Sequence, residues 1–287
     1  MLSWGCANPL SDLALESLDV WQMTAIEIAV GFSALSVIAV LRQRPVRLSW
    51  KWAIVLGLLE PGLTYFFGNV GYESGTVAVG LIIMSSETLM LALLGWLLLH
   101  EKISTVEKVA IAVGCAGAVL VGWNGVTTST GSVSGSVAFF LAAAAAAGYA
   151  IAIRRYMTLA PDADIFALTW GQALISMILA TTGFALSGSQ LPAATDSGVL
   201  AAAGAGVFGV AIPFLLFARA SEHVPSRHAA IALNIIPVVG ISIGALMGRG
   251  IPTPVQIIGG VIVIGSLMAF NQRSEELTLN SSHTDIS

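Results

Sequence analysis

Charge is what this chain has least of. Only 10% of its 287 residues are Asp, Glu, Lys or Arg, where a soluble domain carries roughly 25%. Hydrophobic residues make up 56%, so a soluble globular domain is excluded. With 12 Lys and Arg in total there is no basic stripe of the kind that nucleic acid requires, and no such partner is expected. The net charge of −4 comes mostly from segment ends and the C-terminal tail and identifies no partner. Cysteine is scarce as well. Cys6 and Cys115 both lie in apolar stretches, which argues against a disulfide or metal site and for small core residues. His100, His223, His228 and His283 fall at segment ends or in the tail without an HExxH pair, so a membrane metalloprotease is not expected. The serines of GSVSG at 131–135 have no histidine on their side of the membrane. No motif points to an enzyme, a resident metal or a cofactor.

What the chain does have is apolar runs. They cover 1–15, 20–41, 50–71, 75–99, 105–123, 135–157, 164–187, 198–219, 227–248 and 254–271, most of them near the ~20 residues that cross a bilayer. The expected fold is all-α and integral to the membrane, with ten transmembrane helices of which the first is short. With the amino terminus cytoplasmic, Arg42, Arg44, Arg47, Lys51, Lys102, Lys108, Arg154, Arg155, Arg219, Arg227 and Arg273 all fall inside, and only Arg249 falls outside. Merging or dropping one helix would mix the two populations. Both termini are therefore expected in the cytoplasm, the protein in the cell (inner) membrane, and the polar tail 273–287 disordered.

Half a chain apart, short stretches repeat. DVWQMT at 19–24 echoes DIFALT at 164–169, and YESGTVAVGL at 72–81 lies over SEHVPSRHAA at 221–230, matching Glu73 with Glu222. Five helices per copy is an odd number, so the second copy enters the membrane upside down, an arrangement common in secondary transporters. The expected organisation is a first five-helix repeat over 1–125, an inverted second over 126–272 and the tail over 273–287.

SWGCANP in the first segment, LLLHEKIS closing the fourth and NIIPVVGISIGALMGRGIPTPVQIIGGVIVIG across the ninth and tenth resemble the drug/metabolite transporter superfamily, EamA type. The resemblance covers the whole chain. It implies a transporter of small polar metabolites, often an exporter, with a central cavity between the halves and no enzymatic activity. The family commonly has an acidic residue after the ninth helix; here Arg249 and Gly250 stand instead.

Three acids fall inside the spans. Glu60 and Glu87 lie near the centres of the third and fourth, and Glu27 lies a third of the way into the second. An ionised group at midplane costs at least ~2.5–3.5 kcal/mol, so each must face protein or water. No Lys or Arg occupies the central third of any span, which leaves two states open. The acid is neutral and bonds a neighbouring helix, the favoured reading for Glu27, or a substrate cation or a proton supplies the missing charge. The lack of a basic group disfavours phosphates and other strong anions and favours cationic, zwitterionic or neutral solutes; the family resemblance puts amino acids foremost among these. Asn8, Tyr65, Asn69, Ser85, Ser86, Tyr149, Trp170, Gln172 and Asn234 complete the candidate substrate-binding set with Glu60 and Glu87. Pro9, Pro61, Pro213 and Pro237 are the candidate hinges, and Pro61 should leave a free carbonyl near Glu60.

Gly240, Gly244 and Gly248, spaced by four, form a strip expected to pack on the last helix or on a second subunit, which leaves monomer and homodimer both open. The run AAAAAAGY at 142–149 favours tight helix packing. Apart from substrate, lipid and protons no partner is expected. The alternative in a different class is a channel or structural subunit whose polar groups only bond helices together. The orientation is directly measurable: in whole cells a membrane-impermeant thiol reagent should label a cysteine placed at Gly250 and spare one placed at Arg227.

Overall fold

A computed structural model describes residues 2–42, 48–99, 104–128, 131–193, 197–220, 235–248 and 251–284. Within them the chain forms α1 (Leu2–Ala14), α2 (Val20–Arg42), α3 (Trp50–Gly57), α4 (Thr64–Glu73), α5 (Val77–Met84), α6 (Glu87–Leu99), α7 (Thr105–Thr127), α8 (Val133–Leu159), α9 (Ile165–Ser187), α10 (Ser197–Ala205), α11 (Ile212–Ala220), α12 (Ile235–Leu246) and α13 (Pro254–Thr284). Among the described residues, seven stretches are long and apolar enough to cross a membrane, and Ile236–Leu246 and Pro254–Ala269 are shorter apolar helices. Large apolar side chains such as Val40, Leu41, Trp123, Leu200 and Val261 are exposed on the outer faces. This is a multi-pass membrane protein.

Helix starts are written locally. Asp19 Oδ1 accepts from the Gln22 amide at 2.9 Å while Gln22 Oε1 accepts from the Asp19 amide at 2.9 Å, closing the first turn of α2. The same reciprocal box opens α7 with Ser104 and Glu107 and α13 with Thr253 and Gln256. Ser132 and Asp164 cap α8 and α9 singly.

Two helices are interrupted. α3 and α4 continue one another through a widened turn, Leu58–Leu63, in which Glu60 is extended (φ −145°, ψ 127°). α10 and α11 do the same through Gly206–Ala211. α5 and α6 meet at Ser85 and Ser86, so Glu87 opens the first turn of α6 rather than sitting in mid-helix. Both serines turn back onto their own backbone, Ser85 Oγ to the Leu81 carbonyl at 2.7 Å and Ser86 Oγ to that of Ile83 at 2.6 Å.

Residues from the two ends of the chain interleave. α2 runs antiparallel beside α9: Arg42 pairs with Asp164 at 3.6 Å at one end and Gln22 Nε2 donates to the Gln190 carbonyl at 2.6 Å at the other. The interruption Leu58–Leu63 packs on α9, and Gly206–Ala211 packs on α2 and α1. α7 and α13 cross where Gly117 and Gly259 face one another; a Cβ on either would come within 3.0 Å of the other's carbonyl oxygen. Lipid gives helices no hydrophobic reason to associate, so such close backbone approach supplies the contact area.

Two expectations need correcting. The glycine strip of α12 packs on α1 and α5 rather than on the last helix: Gly240 lies against Leu81 and the Gly5 carbonyl, and Gly244 against Val77. Spacing identifies a close-packing face without naming its partner. The third glycine, Gly248, has φ +73° just beyond α12, a left-handed position that glycine adopts without strain. The last helix runs on to Thr284, through most of the tail expected to be disordered, because no proline or glycine stops it and Glu275, Glu276 and Leu277 favour helix. The alanine run behaves as expected, with Ala142, Ala143, Ala145, Ala146 and Ala147 buried in α8.

Enlarging the α7–α13 contact should be costly. Gly117→Leu is expected to destabilise the protein by ~1–3 kcal/mol through overpacking, read as a lowered thermal transition of the detergent-solubilised protein.

Candidate functional site

The site is built on two prolines. Pro61 has no N–H to give the Gly57 carbonyl, and Pro213 has none for that of Gly209. Each freed carbonyl is taken by a hydroxyl from the other end of the chain. Ser176 Oγ of α9 donates to the Gly57 carbonyl at 2.6 Å, and Tyr65 Oη of α4 donates to that of Gly209. Trp4 Nε1 of α1 in turn donates to Tyr65 Oη at 3.1 Å. Both crossings are tight: a methyl on Gly57 would collide with the Gln172 carbonyl oxygen, and one on Gly206 with that of Glu27.

Three acids surround this seam, each treated differently. Glu27 is 2% exposed; Asn69 Nδ2 donates to its Oε2 at 3.1 Å and Ser11 Oγ to its Oε1 at 3.4 Å. Asn69 also reaches Thr24 Oγ1 at 3.1 Å, so the acid is tied to α1 and α4 together. Glu87 is half-buried at the amino end of α6, where the backbone N–H groups favour a carboxylate. Glu60 is half-buried in the interruption, in the neighbourhood of Glu87, Tyr65 and Tyr149. Among the described residues neither Glu60 nor Glu87 has an ion-pair partner.

Beside Glu60, Tyr149 is 8% exposed and Gln172 only 1%. Gln172 Nε2 donates to Tyr149 Oη at 3.4 Å, a long bond, and its Oε1 has no partner. Tyr149 also meets the Phe214 ring edge-on at 6.5 Å. The structure therefore gathers Glu60, Glu87, Tyr65, Tyr149 and Gln172 around the interruption of α3 and α4. Asn8 belongs to an adjoining network, accepting from Tyr72 Oη at 2.9 Å and donating to the Trp4 carbonyl at 2.8 Å. Asn69 serves Glu27. Trp170 stands apart on the α2–α9 face, bonded to Ser36 Oγ at 3.0 Å and stacked near Phe32. Ser85 and Ser86 close the break before α6. Asn234 lies outside the described residues. Pro9, Pro61, Pro213 and Pro237 are all buried.

Trp4, Ser11, Thr24, Tyr72 and Ser176 were not singled out from the sequence. Spacing held a signal for two of them: Thr24 is three residues before Glu27 and Ser176 four after Gln172, each on the same helical face. No group of His, Cys, Asp and Glu among the described residues could hold a metal ion.

Comparison with known proteins fits this frame. The EamA-like transporter family profile matches residues 1–123 and again 133–272. The chain belongs to the EamA-like transporter family. An EamA unit thus occurs twice, and the protein is a membrane transporter. The chain is 24% identical to the Uncharacterized transporter YdfC of Bacillus subtilis (strain 168) over 267 residues, covering 92% of this chain and 86% of that one. It also shares its fold with a protein of known crystal structure, at a TM-score of 0.66 and 18% identity, covering 96% of this chain and 97% of the other.

The reciprocal caps should be separable by substitution. Tyr65→Phe and Ser176→Ala each remove a hydroxyl donor from a buried carbonyl and should cost about 1–3 kcal/mol apiece, measured by thermal unfolding in lipid nanodiscs.

Proposed function

We propose that this EamA-like protein is a secondary transporter moving small zwitterionic, cationic or neutral metabolites, amino acids foremost, out of the cell. It works by alternating access between two inverted five-helix halves, ten helices in all, with both termini cytoplasmic in the cell (inner) membrane. The observation that carries this reading is the pair of interrupted helices. Leu58–Leu63 and Gly206–Ala211 occupy corresponding places in the two matched units, and each is laid against the other unit. Discontinuous helices in paired positions are where transporters of this general plan bind substrate, because unwound backbone lends polar groups at the membrane centre. The antiparallel course of α2 and α9, which begin with DVWQMT and DIFALT, supports the inversion.

In this reading the solute sits in a central cavity beside the first interruption. Glu60 and Glu87 take its ammonium group, since neither has a basic partner among the described residues. Tyr65, Tyr149 and Gln172 supply neutral polar contacts, and Pro61 and Pro213 mark the bending points. Asn8, Asn69, Ser85 and Ser86 hold these elements in register. A channel would not need two crossed interruptions capped from opposite ends.

Purified protein in liposomes should catalyse counterflow of labelled amino acids. Glu60→Gln or Glu87→Gln should each raise the half-saturating concentration about tenfold, the worth of a charge-assisted hydrogen bond. Flux without counterflow would identify a channel instead.

A further inference from the structure

Glu27 is the interior acid that substrate recognition leaves without a task. Its position in the second unit is filled by Gln172, 145 residues on, the same offset that separates DVWQMT from DIFALT. The packing is equivalent as well: Gly206 abuts the Glu27 carbonyl as Gly57 abuts that of Gln172, and both side chains are almost fully buried. The neutral amide therefore meets the steric demand of this position. What a carboxyl adds is the capacity to take up and release a proton.

The surroundings of Glu27 select that cation. Among the described residues its bonded and electrostatic neighbours include no Lys, Arg or His, and a buried carboxylate without counter-charge is costly. The titratable groups that face it are Tyr65 and Tyr72 of α4, with Asp12 of α1 beyond Tyr72, all of them neutral or acidic. Gly206–Ala211 and α10 carry no titratable residue. Gly209 lies over Oε1, where a Cβ would sit at 3.4 Å, and Asn69 turns its N–H group towards both Glu27 and Thr24, an arrangement that suits a proton.

The lid over this acid comes from the other unit. Gly206–Ala211 belongs to residues 133–272, and α2 to residues 1–123. Relative movement of the units separates the lid from the acid and admits water. We propose that Glu27 is the site of proton coupling: its carboxyl holds a proton while the seam between α2 and Gly206–Ala211 is closed and gives it to water when the seam opens. This rests on the alternating-access reading above, and it is independent of which solute is carried.

Infrared spectroscopy of the protein in lipid at neutral pH tests occupancy without any substrate. The wild-type spectrum should contain the C=O stretch of a protonated carboxylic acid that disappears in Glu27→Gln, the change that gives the first unit the side chain of the second. An unchanged band would overturn the proposal. In liposomes, labelled leucine counterflow should persist in Glu27→Gln, whereas transport driven by an imposed pH gradient should fall by about tenfold or more. Glu27→Asp, which keeps an ionisable group, should retain part of the gradient response. Gradient-driven transport undiminished in Glu27→Gln, or a dependence on sodium rather than on pH that the substitution removes, would overturn it. Absence of leucine counterflow in wild type would count against the amino-acid reading and leave the infrared result to decide the protonation of Glu27.

Discussion

A backbone carbonyl without a donor is expensive inside a membrane, and the architecture turns on two of them. Pro61 and Pro213 each withhold the N–H that would have satisfied a carbonyl four residues earlier. The replacement donor comes in each case from the opposite unit, Ser176 for one and Tyr65 for the other. Parting the units at these points therefore strands a polar group unless water or another donor replaces its partner. Binding between the units and the shape of each broken helix are thus a single interaction. Glycines at 57 and 206 make it possible by removing the Cβ that would hold the backbones apart.

The same seam explains why three acids can occupy one apolar interior. Glu27 is closed in by amide and hydroxyl donors from two neighbouring helices. Glu87 stands at a helix start, where unpaired N–H groups offer partial positive charge. Glu60 sits on extended backbone within the break, and Gln172 on the helix packed against that break has an unpartnered acceptor. Polar atoms left incomplete on a rigid frame are what a donor-rich solute would complete. Glu27 differs in that both of its oxygens accept hydrogen bonds from neighbouring helices.

Much of this was legible in the residues themselves. The first eight apolar runs, up to residue 219, match the helices to within a few residues, and the boxes at Asp19 and Ser104 show why: each start is encoded by a side chain three residues from its partner. Pro61 announced the break and the free carbonyl. The cap on that carbonyl was not legible, because Ser176 lies 119 residues away and resembles any other helix serine. Ser85 and Ser86 looked like ligand-reading hydroxyls and instead bond their own backbone, a choice set by the break between α5 and α6, which no proline marks. Trp170 was placed by depth along its helix, whereas its azimuth, towards Ser36, decides its role. The glycine strip of α12 was recognised as a packing face, but its partner depends on topology that spacing does not carry.

The crossed caps also order events during synthesis. Residues 1–123 emerge first and already contain the Gly57 carbonyl, but the hydroxyl that satisfies it has not yet been translated. Until Ser176 enters the bilayer, the early helices must keep that carbonyl hydrated or borrow a donor, so the first unit waits unfinished for the second. A gene split between the units would yield two polypeptides that mature only on meeting, and the reading frame that joins them doubles as a tether.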